Sequence, residues 1–297
     1  MSDSVAHSGD PSAASSGGRA TCFPALCLGH RLDAPNMNFE FFSLSDTGLV
    51  RDNNEDSVSI DADNRLVVLA DGMGGYNAGE VAAAMATTFI KAELGRWIAD
   101  GGHESSSREL KRAMEVCIDN ANRSIFNAAN SNPQYAGMGT TLVMGIFVDG
   151  KAMIGHVGDS RCYRLRRGEL AQITRDHSLL QEQIDAGLIS VEQAQFATHK
   201  NLVTRALGVE DTVLLEVTEY RAEDDDLYLF CSDGLSDMVS DDRIRDLLLV
   251  QASLGEKARS LVDAANDGGG RDNISVILAH ARARPMRKGL LSRMLGK

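Results

Sequence analysis

Long apolar runs are missing from this chain. No stretch of its 297 residues approaches the roughly 18 consecutive apolar positions of a membrane-spanning helix, which sets aside a spanning protein. Cysteine is scarce. The five present, Cys22, Cys27, Cys117, Cys162 and Cys231, are too scattered for a disulfide framework and form no C-x-x-C pair, so the reading is a reducing, cytoplasmic setting. No basic segment precedes an apolar core at the N-terminus, and Phe23 to Leu28 is too short to be one, so no secretory signal is read. No His or Cys spacing suits zinc. Positive charge is in deficit where it would matter for nucleic acid. Residues 1–36 hold three Asp and two Arg, and 282–297 hold six cations and no acid, so residues 37–281 carry −17 within a net −12. That acidic body argues against nucleic acid and is compatible with a cation site built from carboxylates.

What is there divides into three parts. Residues 1–36 are rich in Ser, Ala and Gly, show no period, and read as a low-complexity, disordered extension; Met37, just before the first strand pattern, is an alternative start. Residues 37–281 carry the ordered patterns, and the whole chain's hydrophobic fraction of 43% is enough for a core. Residues 282–297 form a basic tail, read as flexible; Leu290, Leu291, Met294 and Leu295 also allow a short amphipathic helix that would touch a membrane surface or a partner.

The stretch Leu66 to Glu80 organises the rest. An apolar strand, Leu66 to Ala70, ends on Asp71; Gly72, Gly74 and Gly75 let backbone approach closely; a helix begins at Asn77, with Glu80 placed for a capping box. Val81, Met85 and Phe89 recur every four residues as its apolar stripe. Around this lie further strands: Phe39 to Leu44, Ser57 to Ile60, Gly139 to Phe147, Lys151 to Val157, Cys162 to Leu165, Leu170 to Thr174, Val213 to Thr218, Leu227 to Cys231 and Ile274 to Leu278. Many adjoin through short turns, so the pattern is an antiparallel meander and not alternating βαβ units. Helices are expected from Asn77 to about Trp97, around Leu110 to Ile125, over Ser240 to Gln251 and over Glu256 to Ala265, with two short ones between 178 and 195.

Four aspartates stand at strand ends: Asp71, Asp159 and Asp233 close apolar strands and Asp272 opens one. Glu55 and Asp56 sit in the loop after the first strand, five residues or fewer from Arg51. One strand-end Asp is a turn residue; four, each near Gly or Ser, suggest convergence on one sheet edge. Carboxylates so close stay ionised only beside cations, and oxygen-only ligands select hard ions such as Mg²⁺ or Mn²⁺. An arginine beside such a site suggests a phosphate substrate.

These stretches resemble the metal-dependent serine/threonine protein phosphatases of the type 2C, or PPM, family in their bacterial form. The resemblance rests on Gly48-Leu-Val-Arg-Asp-Asn-Asn-Glu-Asp56, Asp71-Gly-Met-Gly-Gly75, Gly137-Met-Gly-Thr-Thr141, Gly158-Asp-Ser-Arg161, Asp176-His177, Ser232-Asp-Gly234 and Gly270-Arg-Asp-Asn273, in the family's order across about 39–281. It implies an α+β fold, an α-β-β-α four-layer sandwich of two packed antiparallel sheets flanked by helices. It implies two metals bridged by Asp71, one of them bound by the Gly72 carbonyl, with Asp233 and Asp272 completing the site. Asp56, and Glu55 beside it, would act through metal-bound waters; Asp159, with Asp233 shared, would face a third, weaker metal; Arg51 would grip the phosphate; residues 178–200 would be a flap beside the site.

The implied reaction is hydrolysis of phosphoserine and phosphothreonine in proteins by a two-metal-activated water, opposing a bacterial serine/threonine kinase. One departure stands out. Many eukaryotic members carry His at the position of Met73, where it is discussed as the acid for the leaving group. Met has no proton to give, which leaves a metal-bound water or a neighbour such as His177, itself read first as a flap-structuring residue; His156 reads as packing or as support behind the ligands, not as a ligand. The competing readings are a silent homologue that only binds phosphoproteins or a kinase, which would be expected to lack metal acids, and a phosphatase of an anti-anti-sigma factor, which usually brings a sensor domain.

Overall fold

The computed structural model describes residues 37–75, 78–148, 150–194 and 202–283, all within a unit that spans 34–297. The disorder expected of 1–36, the Asn77 cap, the Asp149 turn, the end of the second flap helix at Gln195 and the tail beyond Ala283 lie outside the described residues.

Two antiparallel sheets carry the fold. One contains β1 (Met37–Asp46), β7 (Arg161–Arg166), β8 (Glu169–Gln172), β10 (Leu227–Cys231) and β11 (Ile274–Ala283), in the order β1-β11-β10-β7-β8. The other contains β2 (Asp56–Asp61), β3 (Leu66–Met73), β5 (Leu142–Val148), β6 (Lys151–Val157) and β9 (Glu216–Arg221) in that order, with the short β4 (Gly139–Thr140) added to β3. Alternation along each strand assigns its faces. Val67 and Leu69 of β3 meet Phe147, Ile154, Tyr228, Phe230 and Ile277 between the sheets, whereas Leu66, Val68 and Ala70 face the helices. Phe147 anchors the seam, its ring centroid 4.5 Å from that of Phe39 and 5.3 Å from that of Tyr228.

The outer layers are helical. α1 (Ala78–Ala99) and α2 (Ser107–Ser131) cover the second sheet; α6 (Asp241–Leu249) and α7 (Leu254–Asp267) cover the first. This is the expected α-β-β-α sandwich. α2 and α7 start with full capping boxes, Ser106 with Glu109 and Ser253 with Glu256. The shorter α3 (Leu179–Asp185), α4 (Val191–Ala194) and α5 (Asp233–Ser236) sit in connections. α3 follows a bridge between Ser178 and Val203 that closes the base of the segment read as a flap.

Several boundaries and one face differ from expectation. β3 does not end at Asp71 but runs through Gly72 and Met73, because Gly72 and Met73 pair with Thr140 and Gly139. The strand expected from Val213 starts at Glu216, where pairing with β6 begins. α1 turns its alanines to the sheet: Ala82, Ala83, Ala86, Ile90 and Leu94 are buried, whereas Val81, Met85 and Phe89 are only partly so. Small side chains let the helix lie close on β3, which pushes the four-spaced stripe to the flank.

Candidate metal centre

The same alternation that builds the seam delivers the site. Residues 67, 69 and 71 share a face of β3, so Asp71 continues the inter-sheet face beyond its apolar part. Asp56 is its register partner on β2 and lies on the face of Val58 and Ile60. Ser232, two residues past Phe230, and Ser275, two before Ile277, fall on the corresponding faces of the other sheet. Ser232 donates through Oγ to Asp56 Oδ2 at 2.8 Å and accepts from the Ser275 amide at 2.9 Å. The seam thus changes from hydrocarbon to carboxylate and hydroxyl at one end.

Asp71 is held on both sides. Its amide donates to Thr141 Oγ1 at 3.1 Å, and its carbonyl accepts from the Thr141 amide at 2.8 Å and Thr140 Oγ1 at 2.9 Å. The Thr141 hydroxyl also meets Ser160 Oγ at 2.7 Å, tying Asp71 to the loop that carries Asp159. Gly72 must be glycine here. A Cβ on it would stand 2.1 Å from the Gly79 carbonyl oxygen and 2.6 Å from that of Glu55. Gly79, in the first turn of α1, is equally constrained by Gly72.

A cavity of about 290 Å³ is lined by Arg51, Glu55, Asp71, Gly72, Met73, Gly74, Thr141, Val203, Asp159, Asp233, Asp272 and Asn273, with Asp56 buried behind it. Every predicted site residue is therefore brought together, and among the described residues no lysine lines the cavity. Arg51 is half exposed at the mouth, with Nη2 2.7 Å from Asp272 Oδ2.

The electrostatics describe a site that wants cations. Burial, then repulsion from Asp56, Asp233, Asp159 and Asp272, holds the Asp71 carboxyl well above its ordinary range. Burial and then Asp159 do the same to Asp233. Asp56 is pushed up to about 7 by burial, and Asp159 to about 6 by burial and then Asp176. Glu55 is also raised, first by burial. Asp56 Oδ1 is buried without a hydrogen-bond partner. Crowded carboxylates with an unmet acceptor and one guanidinium nearby fit hard divalent cations with oxygen ligands.

The protein phosphatase 2C profile matches residues 48–265. The chain belongs to the protein phosphatase 2C family. It is 38% identical over 252 residues to the serine/threonine phosphatase Stp of Listeria welshimeri, covering 82% of this chain and 96% of that protein. It is 41% identical over 236 residues to the serine/threonine protein phosphatase PstP of Mycobacterium tuberculosis, covering 79% of this chain but 43% of that longer protein. The crystal structure of M. tuberculosis PstP superposes with a TM-score of 0.75 at 38% identity, covering 82% and 99% of the two chains. A PstP catalytic domain in complex with two manganese ions gives a TM-score of 0.72 at 39% identity, covering 83% and 99%.

In this 2C phosphatase several supporting residues lie inside the sequence motifs, yet the motifs gave them no role: Thr140, Thr141, Ser160, Ser232 and Asn273. Asn273 is the most connected. Its Oδ1 accepts from the Glu55 amide at 2.8 Å, and its Nδ2 donates to the carbonyls of Thr47 and Asn53, each at 2.9 Å. One buried amide thus fastens the loop bearing Arg51, Glu55 and Asp56 to the strand start bearing Asp272. Gly79 was missed because its constraint is a contact between distant backbones. Arg161 anchors Asp176 through Nε and Nη2 and touches the Tyr163 hydroxyl at 3.0 Å, so it binds that loop to the flap root.

The histidines sit apart from the cavity lining. His156 and His177 stack with centroids 4.7 Å apart, and ligand atoms of both lie within 4.8 Å of one another and of one from Glu216. Sequence spacing gave no hint of this trio. Its hydrogen bonds are those of an anchor. His156 Nε2 donates to the Arg175 carbonyl at 2.7 Å. His177 Nδ1 accepts from the Gly158 amide at 3.2 Å, which leaves the proton on Nε2, facing Glu216 at 3.3 Å. Both imidazoles so arranged are hydrogen-bonding the flap root, and Arg205 stands 3.5 Å from His177 Nε2. Met73 lines the cavity, where it offers no proton.

Proposed function

We propose that this chain is a metal-dependent protein serine/threonine phosphatase that hydrolyses phosphoserine and phosphothreonine in proteins. The observation that carries this reading is the convergence of Asp71, Asp233 and Asp272 in one cavity with Arg51 at its mouth. Asp71, Asp233, Asp272 and the Gly72 carbonyl would hold a pair of Mn²⁺ or Mg²⁺ ions, and Asp159 with Asp233 a third, weaker one. When bound, such a pair supplies hydroxide at neutral pH and offsets charge on the phosphoryl oxygens.

The chain's own groups do the rest. Arg51 presents a planar pair of N–H donors to the phosphate and orients its leaving oxygen away from the carboxylates. Glu55 at the cavity wall and Asp56 behind it would accept hydrogen bonds from metal-bound water and so orient it. The leaving oxygen takes its proton from solvent at the open mouth, since Met73 has none and His177 faces Glu216. The segment 178–200 acts as a flap within a phosphatase domain of 37–281. A cognate serine/threonine kinase makes the substrates. We place the reaction in the cytoplasm, a reading supported by three buried free thiols, Cys117, Cys162 and Cys231.

The test is phosphate release from a phosphothreonine peptide during a Mn²⁺ titration. Turnover should require the metal, stop with chelator, and fall at least a thousandfold in Asp272→Ala, a loss of about 4 kcal/mol in transition-state stabilisation. A wild-type protein that binds the peptide but releases no phosphate with any divalent cation would instead be a silent binding module.

A further inference from the structure

The loop that carries Arg51 also displays two large apolar side chains to water. Leu49 is 69% exposed and Val50 is 65% exposed. They are not there through looseness. Both amides donate to the Gly270 carbonyl, at 2.7 and 3.2 Å. Gly48 before them holds φ +80°, and a Cβ on it would lie 2.3 Å from the Asp272 carbonyl oxygen. The Asn273 side chain grips the same loop at Thr47 and Asn53. Two adjacent hydrocarbons are therefore fixed facing outward, one and two residues from the arginine. Elsewhere on the same rim, Val203 lines the cavity and Leu202 beside it is 54% exposed.

We infer that Leu49 and Val50 form a subsite for apolar residues flanking the phosphorylated residue of a polypeptide substrate. The inference rests on the phosphatase reading above. The reach is right. Neighbouring Cα atoms along the loop are about 3.8 Å apart, and an extended peptide advances about 3.3–3.6 Å per residue. A phosphate on Arg51 therefore brings the residues one or two positions away over Val50 and Leu49. Covering them removes apolar surface from water, and the pinned backbone means that little freedom is lost on binding. Among the described residues, Leu249 and Val250 at the end of α6 are also adjacent and exposed, but the cation beside them, Lys257, is hydrogen-bonded to the Leu248 and Val250 carbonyls and borders no cluster of carboxylates.

The test compares two series of phosphothreonine peptides, identical except that the residues within two positions of the phosphothreonine are Leu and Val in one and Ser and Asn in the other. With Mn²⁺, wild-type enzyme is expected to favour the apolar series by about tenfold in kcat/KM, expressed mainly in KM. In Leu49→Asn/Val50→Thr the ratio should fall below about twofold. Both series are read on the same preparation, so partial unfolding of the variant cancels from the ratio. Equal kcat/KM for the two series in the wild type, or a preference that survives in the variant, overturns the subsite. Absence of turnover on both series in the wild type would overturn the phosphatase reading instead.

Discussion

Arg51 sits between two demands, pairing with Asp272 and facing the mouth where a phosphate would arrive. Replacing it with Ala should remove charge-assisted hydrogen bonds worth about 1.5–3 kcal/mol, a loss of roughly 10–100-fold in kcat/KM carried by KM. Mn²⁺ affinity by calorimetry should hold or rise, since a cation beside Asp272 has gone; lost metal binding would mean that Arg51 supports the metal site and is not the phosphate grip. Asn273 makes a separate prediction. Ala there removes the hydrogen bonds that the side chain makes to the Glu55 amide and to the Thr47 and Asn53 carbonyls, and should lower stability by about 2–4 kcal/mol. An unchanged urea midpoint in Asn273→Ala would show that the loop stands without it. At this scale the ionisable groups were legible because chemistry restricts them: strand-end carboxylates near Gly, and an arginine close by. Thr141, Ser232 and Asn273 were not, since a neutral hydrogen-bonding residue in a motif looks like any turn residue until its partners, up to 226 positions away, are known.

At the scale of elements, the decisive contact is α1 on β3. Gly72 and Gly79 touch backbone to backbone, and this close approach sets where Asp71 stands relative to the helix. Gly79→Ala would put a Cβ 2.5 Å from Glu55 Oε2 and 2.7 Å from the Gly72 carbonyl carbon. The side chain could swing away, but the backbone could not. We expect a stability loss of about 1–3 kcal/mol and a Mn²⁺ affinity at least tenfold weaker, with helix content by circular dichroism preserved. Gly75→Ala is the matched control: a Cβ there meets nothing within 4 Å, and both quantities should stay near wild type. Equal behaviour of the two variants would mean that the approach of α1 does not shape the site. The glycines were visible in the sequence, but not which of them is constrained. The apolar stripe of α1 misled for a related reason. Period alone marks Val81, Met85 and Phe89, whereas the sheet accepts the alanine face because only small side chains allow that spacing.

For the molecule as a whole, strand periodicity gave the meander, while the stacking of two sheets came from family resemblance, because nothing in a single chain's period says which strands share a sheet. That stacking gathers five carboxylates whose proton affinity rises together, Glu55 among them, and this has a consequence for stability. Glu55, Asp56, Asp71, Asp159 and Asp233 all hold protons more tightly in the folded, metal-free protein than in an unfolded chain. Between about pH 4 and 7 the native state therefore binds more protons than the unfolded state, and stability falls as pH rises. Asp159 alone, raised from 3.8 to about 6, contributes on the order of 3 kcal/mol across that window. The carboxylates with lowered values, Glu219 among them, act in the opposite sense but only as pH falls toward and below their ordinary range near 4.5. His177, lowered by burial, opposes the trend as pH falls through and below its ordinary value of 6.5, one group against five. Cations replace protons, so their stabilisation must grow as the carboxylates ionise. Thermal melts in chelator should therefore give a higher Tm at about pH 5.5 than at about 7.5, and saturating Mn²⁺ should raise Tm more at the higher pH than at the lower. A chelated protein that gains stability across that rise in pH, or a larger manganese shift at the lower pH, would mean that these carboxylates are not crowded enough to need a metal.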